Sequence, residues 1–394
     1  MAQSSTTNKR KNNNKNDDDN NNNNNDDNKS NGNRRKYLEI EPPVRENLSP
    51  ALIYTCTVLY SLLPLASLVA FLTLVCLLFT KYWFITITYY SFLIFDAKTC
   101  NRGGRRWPSV YRARFWSYLA AYFPIKLRHS DTFKLDPNEN YILNYHPHGI
   151  AAFGCVTTFA TNGLNFSRLF PGIRSLFMVH ETSFLVPIMR ETFSLRGDCS
   201  VNSKSFDYIL EKRWQMADGG GGARSLSRKQ MDEARGNLLA LCGGGLAEAD
   251  LTDMETLRIV CANRKGFVKK SLIHGAHLIP CIAFGENSVF KKVNFKPGSL
   301  LYRLEKIWYQ LFRFKHPIYF GHSLFFGNKG RGPVPYKRPI TVVMGDPIHV
   351  DRVEQPSQEQ IDELHAKYIA RLKSMYEDNR TQLCNQFDTK LELV

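Results

Sequence analysis

From Asn47 to Thr80 the chain carries no charged side chain, and beyond Lys81 the stretch from Tyr82 to Phe95 is uncharged as well. One membrane-crossing helix takes about 20 apolar residues. The combined stretch is too long for one such helix and suits two. Pro64 bends or breaks the first half, since proline removes a helical hydrogen bond and its ring clashes with the preceding turn. Lys81-Tyr82-Trp83 marks the reversal. The expectation is a membrane helical hairpin over 47–97. Its second arm is short and either spans by taking in Asp96 and its neighbours or re-enters. A buried hairpin in a soluble protein is the competing reading, but charge-free runs this long are rare outside membranes.

Charge orients the hairpin. Arg34, Arg35, Lys36 and Arg45 precede it, and Lys98, Arg102, Arg105, Arg106, Arg112 and Arg114 follow. Only Lys81 sits at the tip, so the positive-inside tendency puts both termini in the cytosol. The arginines around Trp107 read as an interfacial anchor. The aromatic segment ending in Tyr122-Phe123-Pro124 reads as lying along the bilayer surface. The sequons at Asn165 and Asn379 would then go unused. Residues 1–36 are Asn-rich with almost nothing to bury, which predicts a disordered tail without the shape of a signal peptide. The 9 cysteines form no CxxC pair and their number is odd. That predicts reduced thiols facing the cytosol, with no disulfide framework or zinc site.

Residues 98–394 alternate short apolar runs with helical segments. Tyr141–Tyr145, Leu238–Cys242, Leu278–Phe284 and Ile340–Met344 read as strands, and Ser203–Trp214 and Gly266–His274 as helices. This predicts a cytosolic α/β domain with a mostly buried sheet. The glycine-rich stretch 217–228 reads as an inserted loop. A last helix starts after Pro356, capped by Ser357 and Gln360. Its buried face is Ile361, Leu364, Tyr368, Leu372 and Met375.

The stretch richest in chemistry is His146-Pro147-His148-Gly149, at the end of the first of these strands. Proline restricts its own φ and the residue before it, and glycine opens backbone shapes closed to other residues. Two imidazoles are thereby held at a strand-to-helix turn, and imidazole is the side chain best suited to move protons near neutral pH. A lone apolar histidine is more often a satisfied core residue, but two in four residues around a proline are harder to dismiss. No third ligand stands at a spacing that suggests a metal. Other strand ends carry Gly243-Gly244-Gly245 with Glu248, Phe284-Gly285-Glu286-Asn287 and Gly345-Asp346-Pro347. Glycines in the triplet would admit a phosphate or an acyl chain, though such a triplet is more often only a turn. Arg264-Lys265-Gly266 opens a helix within a cationic cluster that suits phosphate, or else forms a solvated basic face. The net charge of +16 calls for an anionic partner. No nucleic-acid-binding motif accompanies it, so membrane phospholipid and ligand phosphates account for it more simply.

Together and in this order these motifs resemble the diacylglycerol acyltransferase type 2 family, which includes monoacylglycerol and wax-alcohol acyltransferases. Tyr122-Phe123-Pro124, the tetrad, Arg190-Glu191, the glycine triplet, Arg264-Lys265-Gly266-Phe267, Phe284-Gly285-Glu286-Asn287 and Gly345-Asp346-Pro347-Ile348 carry the resemblance. It covers about residue 45 onward, apart from the inserted loop. It implies an acyltransferase-like domain that moves a fatty acyl group from acyl-coenzyme A to the hydroxyl of diacylglycerol. Acyl-coenzyme A is then a co-substrate, and no cofactor is implied. The enzyme would sit in the endoplasmic reticulum membrane and supply lipid droplets. His148 would be the base, His146 would orient, and Gly149 would help bind substrate. Glu191 and Glu248 are the candidate acidic partners, and position 152 is Ala where the glycerophosphate acyltransferase pattern has Asp. Arg264, Lys265 and Gly266 would bind the acyl donor. Phe71, Leu72 and Leu74 match a pattern proposed in the family for neutral-lipid binding. Alternative acceptors are monoacylglycerol, a wax alcohol or retinol. A different class is a non-catalytic hairpin protein coating lipid droplets, which would leave the tetrad without a purpose. Oligomeric state stays open, a homo-oligomer included.

Overall fold

The computed structural model describes residues 36–42, 48–211, 236–293, 295–312, 318–324, 327–384 and 388–394. Arg45, the loop at 217–228 and all of the N-terminal tail but Lys36 lie outside them. The strands are β1 (Tyr37–Ile40), β2 (Lys126–Ser130), β3 (Tyr141–His146), β4 (Ile173–Val179), β5 (Cys199–Ser200), β6 (Gly236–Leu241), β7 (Thr256–Ile259), β8 (His277–Phe284), β9 (Lys291–Lys292), β10 (Tyr319–Ser323), β11 (Gly327–Gly332), β12 (Thr341–Met344) and β13 (Lys390–Leu393).

Eight of these form one sheet, in the order β1-β2-β12-β8-β3-β6-β4-β5. Its centre is parallel: β3 lies between β8 and β6, and β6 pairs β4. A parallel sheet is covered on both faces, and successive side chains along a strand point to opposite faces. Tyr141, Leu143 and Tyr145 of β3 enter one apolar core with Phe123, Phe153 and Phe159. Ile142 enters the other with Leu239, Ile282 and Tyr368. All four sequence-predicted strands are present within two residues of their expected bounds. The last helix, Gln358–Leu383, carries the expected capping box and buries Ile361, Leu364, Tyr368, Leu372 and Met375.

The uncharged region forms three helices, Pro50–Ser61, Leu63–Leu77 and Trp83–Phe95. The first two meet at a 43° bend, next to Pro64. The hydroxyl of Thr86 donates to the carbonyl of Leu74 at 2.6 Å and ties the third helix back to the second. Among the described residues no single helix is long and apolar enough to cross a membrane, and only the bent pair meets that test by length and composition. The third helix has 13 residues, which rise about 20 Å, short of the roughly 30 Å hydrocarbon core. Asp96 does not extend it. The carboxylate is buried and accepts from Arg105, Arg190 and the Thr99 hydroxyl. A charge so paired belongs to the protein interior, so the apolar arm stops at Phe95. Phe79 (86%), in the turn after the second helix, and Ile94 (79%) and Phe95 (88%), at the end of the third, are exposed.

The aromatic segment before Pro124 departs from expectation. The helix Arg114–Tyr122 buries Trp116, Leu119 and Tyr122, and Phe123 follows fully buried. The Tyr122 hydroxyl donates to the carbonyl of Pro335 at 2.7 Å. These rings fill the core under the sheet. Trp107 alone of the expected anchor aromatics is largely exposed, at 57%.

Candidate active site

The parallel register brings three strand ends together. His146 closes β3 opposite Ile282 of β8, and Asn144 stands opposite Leu241 of β6. The tetrad, the glycine triplet after β6 and Glu286 after β8 therefore converge at one edge. β12 runs antiparallel to β8, which carries Gly345-Asp346-Pro347-Ile348 away from that edge until Ile348 bridges Leu278. Asp346 there accepts from Ser130 and Arg371 and takes no part in the site.

Glu248 is the hub. Its Oε1 lies 2.6 Å from His146 Nδ1 and accepts the Val260 N–H at 2.9 Å, while Oε2 accepts the His148 backbone N–H at 2.7 Å. Neither the Glu248 nor the His146 side chain is exposed. A carboxylate only accepts, so the His146 ring carries a hydrogen on Nδ1. Its Nε2 is buried without a partner.

His148 is held differently. Its half-buried ring places Nδ1 3.0 Å from the Gly149 carbonyl. A carbonyl only accepts, so the hydrogen sits on Nδ1 and the neutral ring presents a lone pair at Nε2. Pro147 follows His146 through a cis peptide, and Gly149 takes φ 58°. That left-handed conformation favours glycine. A Cβ at Gly149 would also stand 2.8 Å from Cγ of Glu286.

Glu286, known from the sequence only as part of a motif, is fully buried on the other face of β3. Its Oε1 accepts the Phe153 N–H at 2.7 Å, and Oε2 accepts the Tyr145 hydroxyl at 2.7 Å and the Gly154 N–H at 3.0 Å. Burial pushes this carboxyl up to about 7, against the three hydrogen bonds. Its sequence signal was the one Glu248 gives: a carboxylate just beyond the end of an apolar strand.

The glycine triplet has a local reason. Gly243 N–H donates to Asn144 Oδ1 at 2.7 Å. A Cβ at Gly243 would fall 2.3 Å from that oxygen, and one at Gly244 would fall 1.9 Å from the Glu248 carboxyl carbon. The groups pressed against these two glycines are the protein's own Asn144 and Glu248.

Of the two candidate acids, Glu248 is brought to the tetrad and Glu191 is not. Glu191 accepts from the Ile188 N–H at 2.7 Å and the Tyr89 hydroxyl at 3.1 Å, pairs with Arg190, and is 41% exposed. It caps the start of its own helix, Met189–Arg196. Arg264 reaches back to the Gly243 carbonyl at 3.0 Å and so lies over the triplet. Lys265 instead pairs with Asp362 of the last helix at 2.7 Å. Gly266 opens its helix with nothing within 4 Å of a Cβ position. Phe71 and Leu72 are exposed on the helix Leu63–Leu77, and Leu74 is half-buried there. A cleft of about 490 Å³ opens between Tyr89, Val110, Pro187, Ile188, Glu191, Thr192 and Leu195, none of them a residue of the tetrad.

Residues 75–394 match the model of the family described as Diacylglycerol acyltransferase. Diacylglycerol O-acyltransferase 2 of Danio rerio is 36% identical over 311 residues, covering 79% of this chain and 80% of the relative. The Bos taurus protein of the same name is 36% identical over 303 residues, 77% and 78% of the two chains. Acyl-CoA wax alcohol acyltransferase 1 of Homo sapiens is 34% identical over 305 residues, 77% and 85%. No solved structure matches the chain. The convergent strand-end motifs sit inside the matched span, and the chain belongs to the diacylglycerol acyltransferase family.

Proposed function

We propose that this chain moves a fatty acyl group from acyl-coenzyme A to the free hydroxyl of diacylglycerol, making triacylglycerol, with His148 as general base. The hydrogen bond from His148 Nδ1 to the Gly149 carbonyl carries the reading, because it leaves Nε2 with a lone pair on a half-buried ring. A hydroxyl is a poor nucleophile until a base takes its proton. Nε2 removes that proton as the oxygen attacks the thioester carbonyl. The C–S bond then breaks, and coenzyme A leaves as the thiol with the proton returned to sulfur. His146, oriented by Glu248, fixes the strand end. Backbone N–H groups beside Gly149 stabilise the oxyanion. Arg264, at the rim of the glycine triplet, suits the coenzyme A phosphates.

Wax alcohols, monoacylglycerol or retinol would undergo the same chemistry. The identity of 36% to the diacylglycerol enzymes against 34% to the wax-alcohol enzyme supports diacylglycerol. We place the protein in the endoplasmic reticulum membrane and at lipid droplets, with a hairpin over 47–95 and both termini in the cytosol. The exposed Phe79, Ile94, Phe95 and Trp107 support bilayer contact, as do exposed Leu300, Leu301, Leu304 and Ile307 on the helix Leu300–Phe312. Membranes holding the protein, labelled acyl-coenzyme A and a panel of acceptors test the activity. Triacylglycerol from diacylglycerol supports it, and no ester from any acceptor favours the droplet-coat reading. Glycosylation at Asn165, or protection of the domain beyond residue 100 in sealed microsomes, overturns the topology.

A further inference from the structure

We infer that Glu286 is a positioning residue: from the face of the sheet opposite Glu248 it fixes the turn 149–154, so that the Gly149 carbonyl stays against His148 Nδ1. The inference rests on the reading of His148 as the base.

Three observations carry it. Glu286 accepts the N–H groups of Phe153 and Gly154, the two residues that start the helical segment after the turn. Gly149 lies against Glu286 so closely that a Cβ would meet Cγ at 2.8 Å and the Glu286 carbonyl oxygen at 3.3 Å. The same carboxylate accepts the hydroxyl of Tyr145, the residue before His146. Glu286 thus grips the chain on both sides of the tetrad while touching neither imidazole. Gly149 links it to His148, because Gly149 is wedged on Glu286 and supplies the carbonyl that sets the His148 tautomer.

The chemistry of the clamp requires a carboxylate. All three partners are donors, so both oxygens must accept. An amide would set its NH₂ against the Phe153 N–H or, turned over, against the Gly154 N–H, and leave a buried donor unsatisfied. The titratable groups facing Glu286 are Tyr145 on β3, Cys155 after the turn and Asp388 near the C-terminus. None is a cation, so the hydrogen bonds hold the carboxylate in place.

The test compares Glu286→Gln, His148→Ala and the unaltered chain, each inserted in membranes and normalised to folded protein. Hydrogen exchange over residues 147–156 should speed up in Glu286→Gln, while exchange over β6 stays as it was. Its kcat should fall about tenfold or more, because small misplacement of a reacting group is costly. KM for acyl-coenzyme A should stay within about threefold, which a general loss of structure would not produce. Tyr145→Phe removes one donor without opposing another, and serves should the Gln variant fail to insert. It should show the same split with a loss of about twofold to fivefold. Unchanged exchange in the turn overturns the inference, as does a loosened turn with kcat within twofold of wild type. If the unaltered chain makes no ester from any acceptor, the proposed function fails with it. If His148→Ala loses activity and the Glu286 and Tyr145 variants do not, only the positioning role fails.

Discussion

Glu248 and His146 stand 102 residues apart in the sequence and 2.6 Å apart in the structure, with neither side chain exposed. The contact exists because β3 and β6 are parallel neighbours, so their ends and the segments that follow come together. On the other face of β3, Tyr145 and Glu286 meet at 2.7 Å. Two buried carboxylates therefore hold the last two residues of one strand from opposite sides. A buried charge is costly unless each oxygen is satisfied, and each of these accepts three hydrogen bonds.

Glu248 and Glu191 should part sharply on substitution. Glu248→Gln opposes a donor to one of its three donor partners, and a buried group left unpaired costs about 1–3 kcal/mol. Expected are a lower unfolding temperature and a kcat loss of at least about tenfold. Glu191→Gln should keep activity within about threefold, since its partners are Ile188, Tyr89 and Arg190. Acyl transfer per folded protein measures both, and the reverse ranking would move the acidic partner to Glu191.

Gly244→Ala should behave like a Glu248 variant. Gly244 has φ −75°, so conformation tolerates alanine there. Space does not, because the new Cβ would fall 1.9 Å from the Glu248 carboxyl carbon. The carboxylate must move and His146 loses its partner. Activity should drop about tenfold or more while membrane insertion persists. Wild-type turnover in Gly244→Ala would show that the Glu248 contact is dispensable.

The central strands and the last helix were legible because their apolar periodicity is strong and Ser357 with Gln360 spells out a cap. β2 was not legible: Lys126-Leu-Arg-His-Ser130 is mostly polar, and it holds a place in the sheet because Arg128 pairs with Glu39 and bonds Gln382. Such partners are far away in sequence. The aromatic helix Arg114–Tyr122 looks alike in a core or on a membrane, and only the sheet beside it decides between them. For the same reason the tetrad could be picked out in the sequence, while Glu286 became a clamp only once β8 lay beside β3.

Stability should rise as pH falls from about 8 to about 6.5. Burial raises Asp388 from 3.8 to about 7. The folded chain thus holds a proton that the unfolded chain releases. The contribution of this group to stability is fully present below the unfolded value and is lost as pH rises through about 7. His277, His322 and His365 are lowered by burial and oppose the gain at lower pH, which confines the clean window to the upper side. Thermal unfolding in detergent measures it. The trend should shrink in Asp388→Asn, and a melting temperature that falls with pH across this window would contradict the assignment.

Arg264 and Lys265 should no longer be treated as equivalent. Arg264→Gln should raise KM for acyl-coenzyme A more than KM for diacylglycerol, because the guanidinium sits over the glycine triplet. Lys265→Gln should do less, since its ammonium is paired with Asp362. Initial-rate measurements against each substrate decide. Equal effects on both substrates would assign Arg264 a structural or membrane role.

His148→Ala should abolish most acyl transfer while insertion and protein level stay near normal. Removing a general base costs a factor of about 10² to 10⁴ in rate, or roughly 3 to 5 kcal/mol in the barrier. The fold should survive, because the half-buried ring bonds only the adjacent Gly149 carbonyl, and the Glu248 contact at this position is made by the backbone N–H, which alanine keeps. His146→Ala is a different experiment. It empties a fully buried site and leaves Glu248 without its imidazole partner, so stability and turnover should fall together. Normalising to folded, inserted protein separates the two cases. If both rings only packed, each variant would lose abundance while the surviving protein kept normal turnover. A normalised His148→Ala rate within about threefold of wild type is a change of only about 0.6 kcal/mol, too small for a general base. The proton acceptor would then be His146, whose Nε2 is buried without a partner and whose Nδ1 already has the carboxylate that orients a catalytic imidazole.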